Sequence, residues 1–124
     1  MRTIRREDLP FVGSSYQFAG ADQGNVAVSF FLVEAAKGRG APLHRHKYDE
    51  ILLVQEGTGR VVVGDETRDA VAGDILVVKA GTPHGFVNTG DGALKQLDIH
   101  VSPAFEQENL KPTDVSLRAG LPIA

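Results

Sequence analysis

Short hydrophobic runs separated by turn-forming residues dominate the middle of the chain. Four runs are rich in aliphatic and aromatic residues, and each predicts a strand. They are residues 26–33, 51–54, 60–63 and 75–78. Glycine, aspartate and proline cluster between them, as is typical of tight strand connections. The region lacks the 3.6-residue period of an amphipathic helix. The pattern therefore predicts an all-β domain, an antiparallel sandwich or barrel.

A further predicted strand, residues 94–101, alternates between two kinds of side chain. Its hydrophobic face carries Leu97, Ile99 and Val101, and its polar face carries Gln96, Asp98 and His100. Alternation alone does not say which face lies inside. If the polar face is inside, His100, with Asp98, is a candidate catalytic residue that orients a substrate or supports a metal ligand. If the hydrophobic face is inside, His100 lies outside the barrel or at a dimer interface.

The two ends of the chain have weaker patterns. Residues 1–25 are mixed in character and contain a possible edge strand at residues 16–18. Residues 103–124 hold three of the six prolines, so we expect a strap across the barrel or across a partner subunit, with one helical turn at 106–110. We expect a single domain over residues 1–124, with the barrel core at about 26–101.

Composition narrows the possible chemistry. The chain has 124 residues, enough for one modest core, and contains no cysteine, which excludes disulfides, iron–sulfur clusters, cysteine zinc sites and thiol nucleophiles. A net charge of −3 favours neither nucleic acid nor an anionic membrane as a partner. We therefore expect a small-molecule partner. The charged N-terminus lacks the hydrophobic segment of a secretory signal, so we also expect a cytoplasmic protein.

Two of the four histidines, His44 and His46, are two residues apart. In a strand they would share one face, with Cα atoms about 6.7 Å apart, which suits two ligands of one metal ion. Glu50 would lie about 13 Å from His46 along a straight strand, too far to bind the same ion. For Glu50 to take part, the chain must bend at residues 47–49 and return on the next strand. His84 could then complete the site from a different strand.

The spacing of these residues resembles a known family. The first cupin motif, G-x5-H-x-H-x3-E-x6-G, is matched at every position by Gly38, His44, His46, Glu50 and Gly57. Either cupin motif alone would be a weak signal, but two motifs at the right separation are specific.

The second cupin motif, G-x5-P-x-G-x2-H-x3-N, is matched except at its proline. Its positions fall on Gly73, Lys79, Gly81, His84 and Asn88, with Lys79 in place of proline. Fifteen residues separate the two motifs, as in small single-domain cupins. The substitution concerns the rigidity of a loop and leaves every motif ligand in place.

The resemblance to cupins implies a double-stranded β-helix, or jelly-roll barrel, that holds one divalent transition metal (Fe, Mn, Ni, Zn or Cu). The implied ligands are His44, His46, Glu50 and His84, and Asn88 is implied to be structural. Glu50 has an alternative role as an uncoordinated general base. Three imidazoles and one carboxylate suit several such ions and leave positions open for water, substrate or dioxygen.

The resemblance leaves more than one function open. The first hypothesis is a small enzyme with dioxygenase-type chemistry on an oxygen-rich substrate, and a redox-neutral isomerase or decarboxylase would use the same ligands. The second is a non-catalytic module that binds or senses a metal or small molecule. Because strands such as residues 75–78 are hydrophobic on both faces, we also expect a homodimer.

Overall fold

The computed structural model describes residues 1–123, and two antiparallel β-sheets pack face to face within it. In chain order the strands are β1 (Phe11–Val12), β2 (Ser15–Phe18), β3 (Ser29–Ala35), β4 (Gly40–Arg45), β5 (Glu50–Glu56), β6 (Thr58–Val63), β7 (Glu66–Val71), β8 (Ile75–Val78), β9 (His84–Asn88), β10 (Leu94–His100) and β11 (Glu108–Asn109). A 3₁₀ turn at Arg6–Asp8 precedes them, and one helix, α1 (Asp114–Ala119), follows.

The strand order is that of a jelly roll. One sheet has six strands in the order β1-β2-β3-β10-β5-β8, and the other has five in the order β11-β4-β9-β6-β7. From β3 onward the chain crosses to the opposite sheet after every strand except β6, which forms a hairpin with β7. The predicted all-β jelly-roll fold is therefore confirmed, and the crossings bring residues distant in sequence into the space between the sheets.

Five of the eleven strands described, β3, β5, β6, β8 and β10, lie where the hydrophobic pattern predicts them, and the lack of a signal for β7 and β9 has a physical cause. β3 begins at Ser29, three residues later than the run that predicts it. β7 has no hydrophobic signal because it is an edge strand in which only Ala70 is buried. β9 has no alternation because all five of its residues are buried. A strand covered on both faces does not show a two-residue period.

The central strands of the five-stranded sheet, β6 and β9, are covered on both faces, and this produces two hydrophobic clusters. The inner cluster, between the sheets, consists of Val33, Ala35, Leu52, Val54, Val61, Ala70, Val78, Phe86 and Leu94. The outer cluster consists of Leu43, Val62, Val87, Ala119 and Leu121. Neighbouring residues of β6, Val61 and Val62, belong to different clusters because successive side chains of a strand point to opposite faces.

The C-terminal segment crosses the five-stranded sheet of its own chain. The predicted helical turn at residues 106–110 is wrong, because Glu108–Asn109 pairs with β4 as strand β11. Arg45 stabilises this pairing, with its Nε 2.9 Å from Oε2 of Glu108. The helix begins later, after Thr113, whose side chain accepts a hydrogen bond from the backbone of Ser116, and ends at Gly120 in the left-handed conformation.

The outer face of the six-stranded sheet is less covered at its β8 edge. Ile75 and Val77 are 65% and 63% exposed, so two large hydrophobic side chains lie side by side in solvent. Such an edge also presents unpaired backbone groups. Within residues 1–123, no helix has the length and hydrophobicity that a membrane span requires.

Candidate metal centre

The candidate centre forms where two cross-strand pairs face each other from opposite sheets. In the five-stranded sheet, His44 of β4 lies opposite His84 of β9. In the six-stranded sheet, Glu50 of β5 lies opposite His100 of β10. All four side chains are buried, which places them between the sheets. Residues from four separate strands thus come together because the jelly roll stacks the two sheets.

The predicted bend between His46 and Glu50 is present in the structure. The chain leaves the five-stranded sheet at the end of β4 and enters the six-stranded sheet at Glu50. Asp49 stabilises the crossing, since its carboxylate accepts hydrogen bonds of 2.8 Å from the backbone of Ala80 and from Nζ of Lys79. Lys79, the residue that departs from the motif, therefore anchors this bend.

Three histidines share a hydrogen-bonding arrangement that exposes one ring nitrogen to the centre. The Nδ1 atoms of His44, His46 and His84 lie 2.6, 2.6 and 2.8 Å from the carbonyl oxygens of Pro42, Glu106 and Thr82, respectively. A carbonyl oxygen only accepts, so each Nδ1 carries the proton and each Nε2 has a free lone pair in the neutral ring. This tautomer is the one found in histidines that bind a metal through Nε2.

The three Nε2 atoms and one carboxylate converge on a common point, and Nε2 of His84 is hydrogen-bonded to the carboxylate of Glu50. His44, His46, Glu50 and His84 each offer a ligand atom, and these four atoms all lie within 4.8 Å of one another. Oε1 of Glu50 is 2.8 Å from Nε2 of His84 and 3.2 Å from Nε2 of His46. The 3.2 Å contact lacks hydrogen-bond geometry, so within residues 1–123 the buried Nε2 of His46 has no hydrogen-bond partner. An unpaired buried acceptor beside a carboxylate fits a bound cation.

The electrostatics of the cluster also suit a cation. Burial, together with the neighbouring His84, lowers the pKa of His44 to about 4. Burial alone would raise the pKa of Glu50, but its contacts with His46 and His84 hold this pKa well below the usual range. Burial lowers the pKa of His46, and its contacts with Glu50 and the Glu106 carbonyl outweigh this and raise it. A neutral His44 and an ionised Glu50 are the protonation states that bind metals.

His100 lies beside this cluster but belongs to a different set of contacts. It is completely buried, so the polar face of residues 94–100 is the one that points between the sheets. Its Nδ1 is 2.8 Å from the hydroxyl of Tyr48, and its Nε2 is 3.3 Å from Oε2 of Glu50, without hydrogen-bond geometry. Burial lowers the pKa of His100 to about 4, although the charge of Glu50 opposes this shift. Burial raises the pKa of Tyr48 to about 12.

No spacing signal in the sequence points to Tyr48. Its role depends on the bend at residues 47–49, which brings the hydroxyl to His100. A hydroxyl can donate to Nδ1 of His100, and the ring proton then lies on Nε2, which faces Glu50. In this arrangement His100 has the opposite tautomer from the other three histidines.

Asp98 and Gln96 continue the polar inner face of β10. Nε2 of Gln96 donates a hydrogen bond of 3.1 Å to Oδ1 of Asp98, and both side chains are fully buried. Burial, and next the charge of Glu50, raises the pKa of Asp98 well above its usual value. The sequence pattern marks Asp98 only as the neighbour of His100 and gives no role to Gln96.

A cavity of about 190 Å³ opens beside the cluster. His44, Glu50 and His84 form one part of its lining, and Asp98 forms another. Much of the remaining wall is hydrophobic and includes Val12, Phe31, Val33, Ala41, Pro42, Leu52 and Phe86. A small molecule in this cavity would touch the candidate metal ligands and an apolar surface at the same time.

The fold and the cluster define a jelly-roll protein with a candidate metal centre between its sheets. Residues 31–100, more than half of the chain, match the family model of the Cupin domain. The chain therefore belongs to the cupin family, as its two motifs predicted.

Solved structures and a curated relative show a similar domain within longer proteins. The oxalate decarboxylase of Lactobacillus farciminis, solved with formate, has a TM-score of 0.74 and 22% identity over 85% of this chain and 34% of its own. The Bacillus subtilis oxalate decarboxylase, studied for its Mn(II) centres, has a TM-score of 0.75 and 23% identity over 85% of this chain and 30% of its own. At these identities the likeness establishes the fold alone.

A curated relative has a different kind of function. The HTH-type transcriptional activator RhaS of Mannheimia succiniciproducens is 29% identical over 68 residues, which are 55% of this chain and 25% of the activator. The chain thus spans about a quarter of this relative and about a third of the decarboxylases.

Proposed function

We propose that this chain is a metal-dependent enzyme of dioxygenase type that acts on a small, oxygen-rich substrate. Its proposed metal ligands are His44, His46, Glu50 and His84. The observation that carries the proposal is the convergence of four ligand atoms within 4.8 Å beside a cavity of about 190 Å³. A purely structural metal site would have no need of adjoining space for a ligand.

The residues of the chain have separate tasks in this proposal. When bound, a transition metal supplies Lewis-acid polarisation of substrate oxygen atoms and, where the ion is redox-active, electron transfer to dioxygen. The backbone carbonyls behind the three rings hold each Nε2 in place. The apolar walls exclude water around the substrate, and Glu50 can also accept a proton as a general base.

We assign His100 a positioning role rather than a direct one. Its Nε2 faces Oε2 of Glu50, whereas His46 and His84 lie nearest Oε1. His100 therefore restricts the orientation of the carboxylate and leaves Oε1 directed at the centre, while Tyr48 holds the His100 ring from its other side. Its loss should weaken metal binding through Glu50 rather than remove a ligand.

Two alternatives rest on the relatives. A redox-neutral reaction, such as decarboxylation, would use the same ligands and is the activity in the names of the structural neighbours. A ligand-sensing role is suggested by the transcriptional activator, which shares one cupin-sized region with this chain. Manganese is the first ion to test, because the Bacillus subtilis decarboxylase has Mn(II) centres.

Elemental analysis followed by a turnover screen tests the proposal. We expect natively purified protein to carry close to one transition metal ion per chain, and oxygen uptake with an enediol, catechol or diketone. Release of carbon dioxide without oxygen uptake would favour the decarboxylase alternative, and tight binding without turnover would favour the sensor. Absence of metal in both purified and reconstituted protein would refute every metal-dependent reading.

We further propose a cytoplasmic homodimer. The support for the dimer is the edge strand β8, where Ile75 and Val77 are exposed next to each other. A second copy of the chain could cover these side chains and pair with the free edge. The lack of cysteine supports the compartment.

A further inference from the structure

We propose that Asp98 makes the cavity selective for an uncharged, hydroxyl-bearing ligand with an apolar body, and selective against small dianions such as oxalate. The inference rests on the proposed function, because the ligand would occupy the cavity beside the metal centre. It goes beyond that function by naming a substrate class and a specificity residue.

The first argument is the charge of the cavity lining. Among residues 1–123, the lining contains no lysine or arginine, and its two carboxyl groups are Glu50 and Asp98. A divalent cation beside one ionised glutamate carries a single net positive charge, so a dianion would leave the buried site negative. Burying an uncompensated charge in a protein costs on the order of several kcal/mol. An uncharged ligand avoids this cost.

The second argument is the hydrogen-bonding capacity of Asp98. Gln96 donates to Oδ1, and within the described part of the chain no hydrogen bond engages Oδ2. Since Asp98 lines the cavity, a ligand can supply the missing partner. Whether or not this carboxyl is protonated, its second oxygen keeps a lone pair that can accept a hydrogen bond from a ligand. A hydroxyl group can donate to this oxygen, whereas a dianion such as oxalate has no proton to donate.

The third argument is the shape and chemistry of the walls. Phe31 and Phe86 contribute aromatic rings, and Val33 and Leu52 contribute aliphatic side chains. The cavity volume of about 190 Å³ is comparable with the roughly 150 Å³ of an engineered apolar cavity that binds benzene. One substituted ring therefore fits the space, and catechol, a ring with two adjacent hydroxyl groups, is a suitable probe.

Calorimetric titration of the zinc-loaded full chain with catechol and with oxalate tests the inference. Zinc is redox-silent, so binding is measured without turnover. We expect catechol to bind at least tenfold more tightly than oxalate. Asp98→Asn retains the shape and the acceptor for Gln96 but replaces the free oxygen with an NH2 donor. This donor favours oxalate over a hydroxyl, so we expect the variant to reduce this preference at least fivefold. The matched control, Asp65→Asn at an exposed turn, should leave the preference unchanged.

The outcomes separate the inference from the function on which it rests. Zinc content is measured on the same samples, and a chain that takes up no metal refutes the proposed function. Three results with zinc bound overturn the inference alone. These are equal affinities for oxalate and catechol, no binding of either probe, and an unchanged ratio of the two affinities in Asp98→Asn. Should the Asp98→Asn variant not fold, the ratio of the two probes in the unaltered chain still decides whether the cavity has the proposed selectivity.

Discussion

Asn88, at the end of β9, links three parts of the chain through one buried side chain. Its Nδ2 donates hydrogen bonds of 2.9 Å to the carbonyl of Ala35 and 2.7 Å to that of Gly92. Its Oδ1 accepts a hydrogen bond of 2.8 Å from the backbone nitrogen of Gly90. The side chain thus joins the ends of β9 and β3 to the loop before β10, and we expect Asn88→Ala to destabilise the fold without removing a metal ligand.

The expected magnitude follows from these three hydrogen bonds. Each one contributes about 1 kcal/mol net, and a buried group left without a partner costs about 1–3 kcal/mol. Because Asn88 is only 1% exposed, water cannot readily replace the lost contacts. The free energy of unfolding should therefore fall by about 3–5 kcal/mol, a large share of the roughly 5–15 kcal/mol typical of a domain.

Urea denaturation followed by circular dichroism measures this loss. Asn109→Ala is the matched control, because Asn109 is exposed and its side chain accepts one hydrogen bond from Gln107. We expect this control to change the stability by less than about 0.5 kcal/mol. A loss below about 1 kcal/mol for Asn88→Ala would refute the reasoning. So would a loss of bound metal at unchanged stability, because Asn88 would then act at the centre itself.

Four further predictions concern the centre, a turn, the C-terminal segment and the dimer. His84→Ala should reduce metal affinity more than 100-fold, whereas His100→Ala should reduce it about 10- to 100-fold, as for residues that position a ligand. Competition titration measures both affinities, and equal losses would mean that the ligand set is wrong. Gly57→Ala should lower the free energy of unfolding by more than about 2 kcal/mol, because the φ of Gly57 is +86° and a Cβ would clash with the Ala93 carbonyl. An unchanged midpoint in thermal or urea unfolding would contradict this. Leu121→Ala should cost about 2–3 kcal/mol by removing a buried side chain from the outer cluster, and a stable variant would show that the segment is dispensable. Ile75→Lys should convert the dimer to monomer in sedimentation velocity, whereas a monomer before substitution would refute the dimer.

The sequence pattern predicted strands where one face is hydrophobic or where the whole strand is apolar. It did not predict β7, whose residues are mostly exposed, because an edge strand depends on backbone pairing with β6 rather than on burial. It also misplaced the C-terminal helix. The turn expected at residues 106–110 became strand β11 because β4 offers a free edge, which only the folded sheet provides.

The sequence alone determined the fold class and the family, and it named the four residues that converge. The resemblance to the two cupin motifs supplied this set, and the bend that Glu50 needs in order to join it is present in the structure. Only the tertiary structure decided which face of residues 94–100 is buried. A two-residue alternation is the same whichever face points inward, so the choice depends on packing between the two sheets. Strand pairing within one sheet brought His100 to Glu50, and the folded chain brought Tyr48 to His100 and Asp98 to the wall of the cavity.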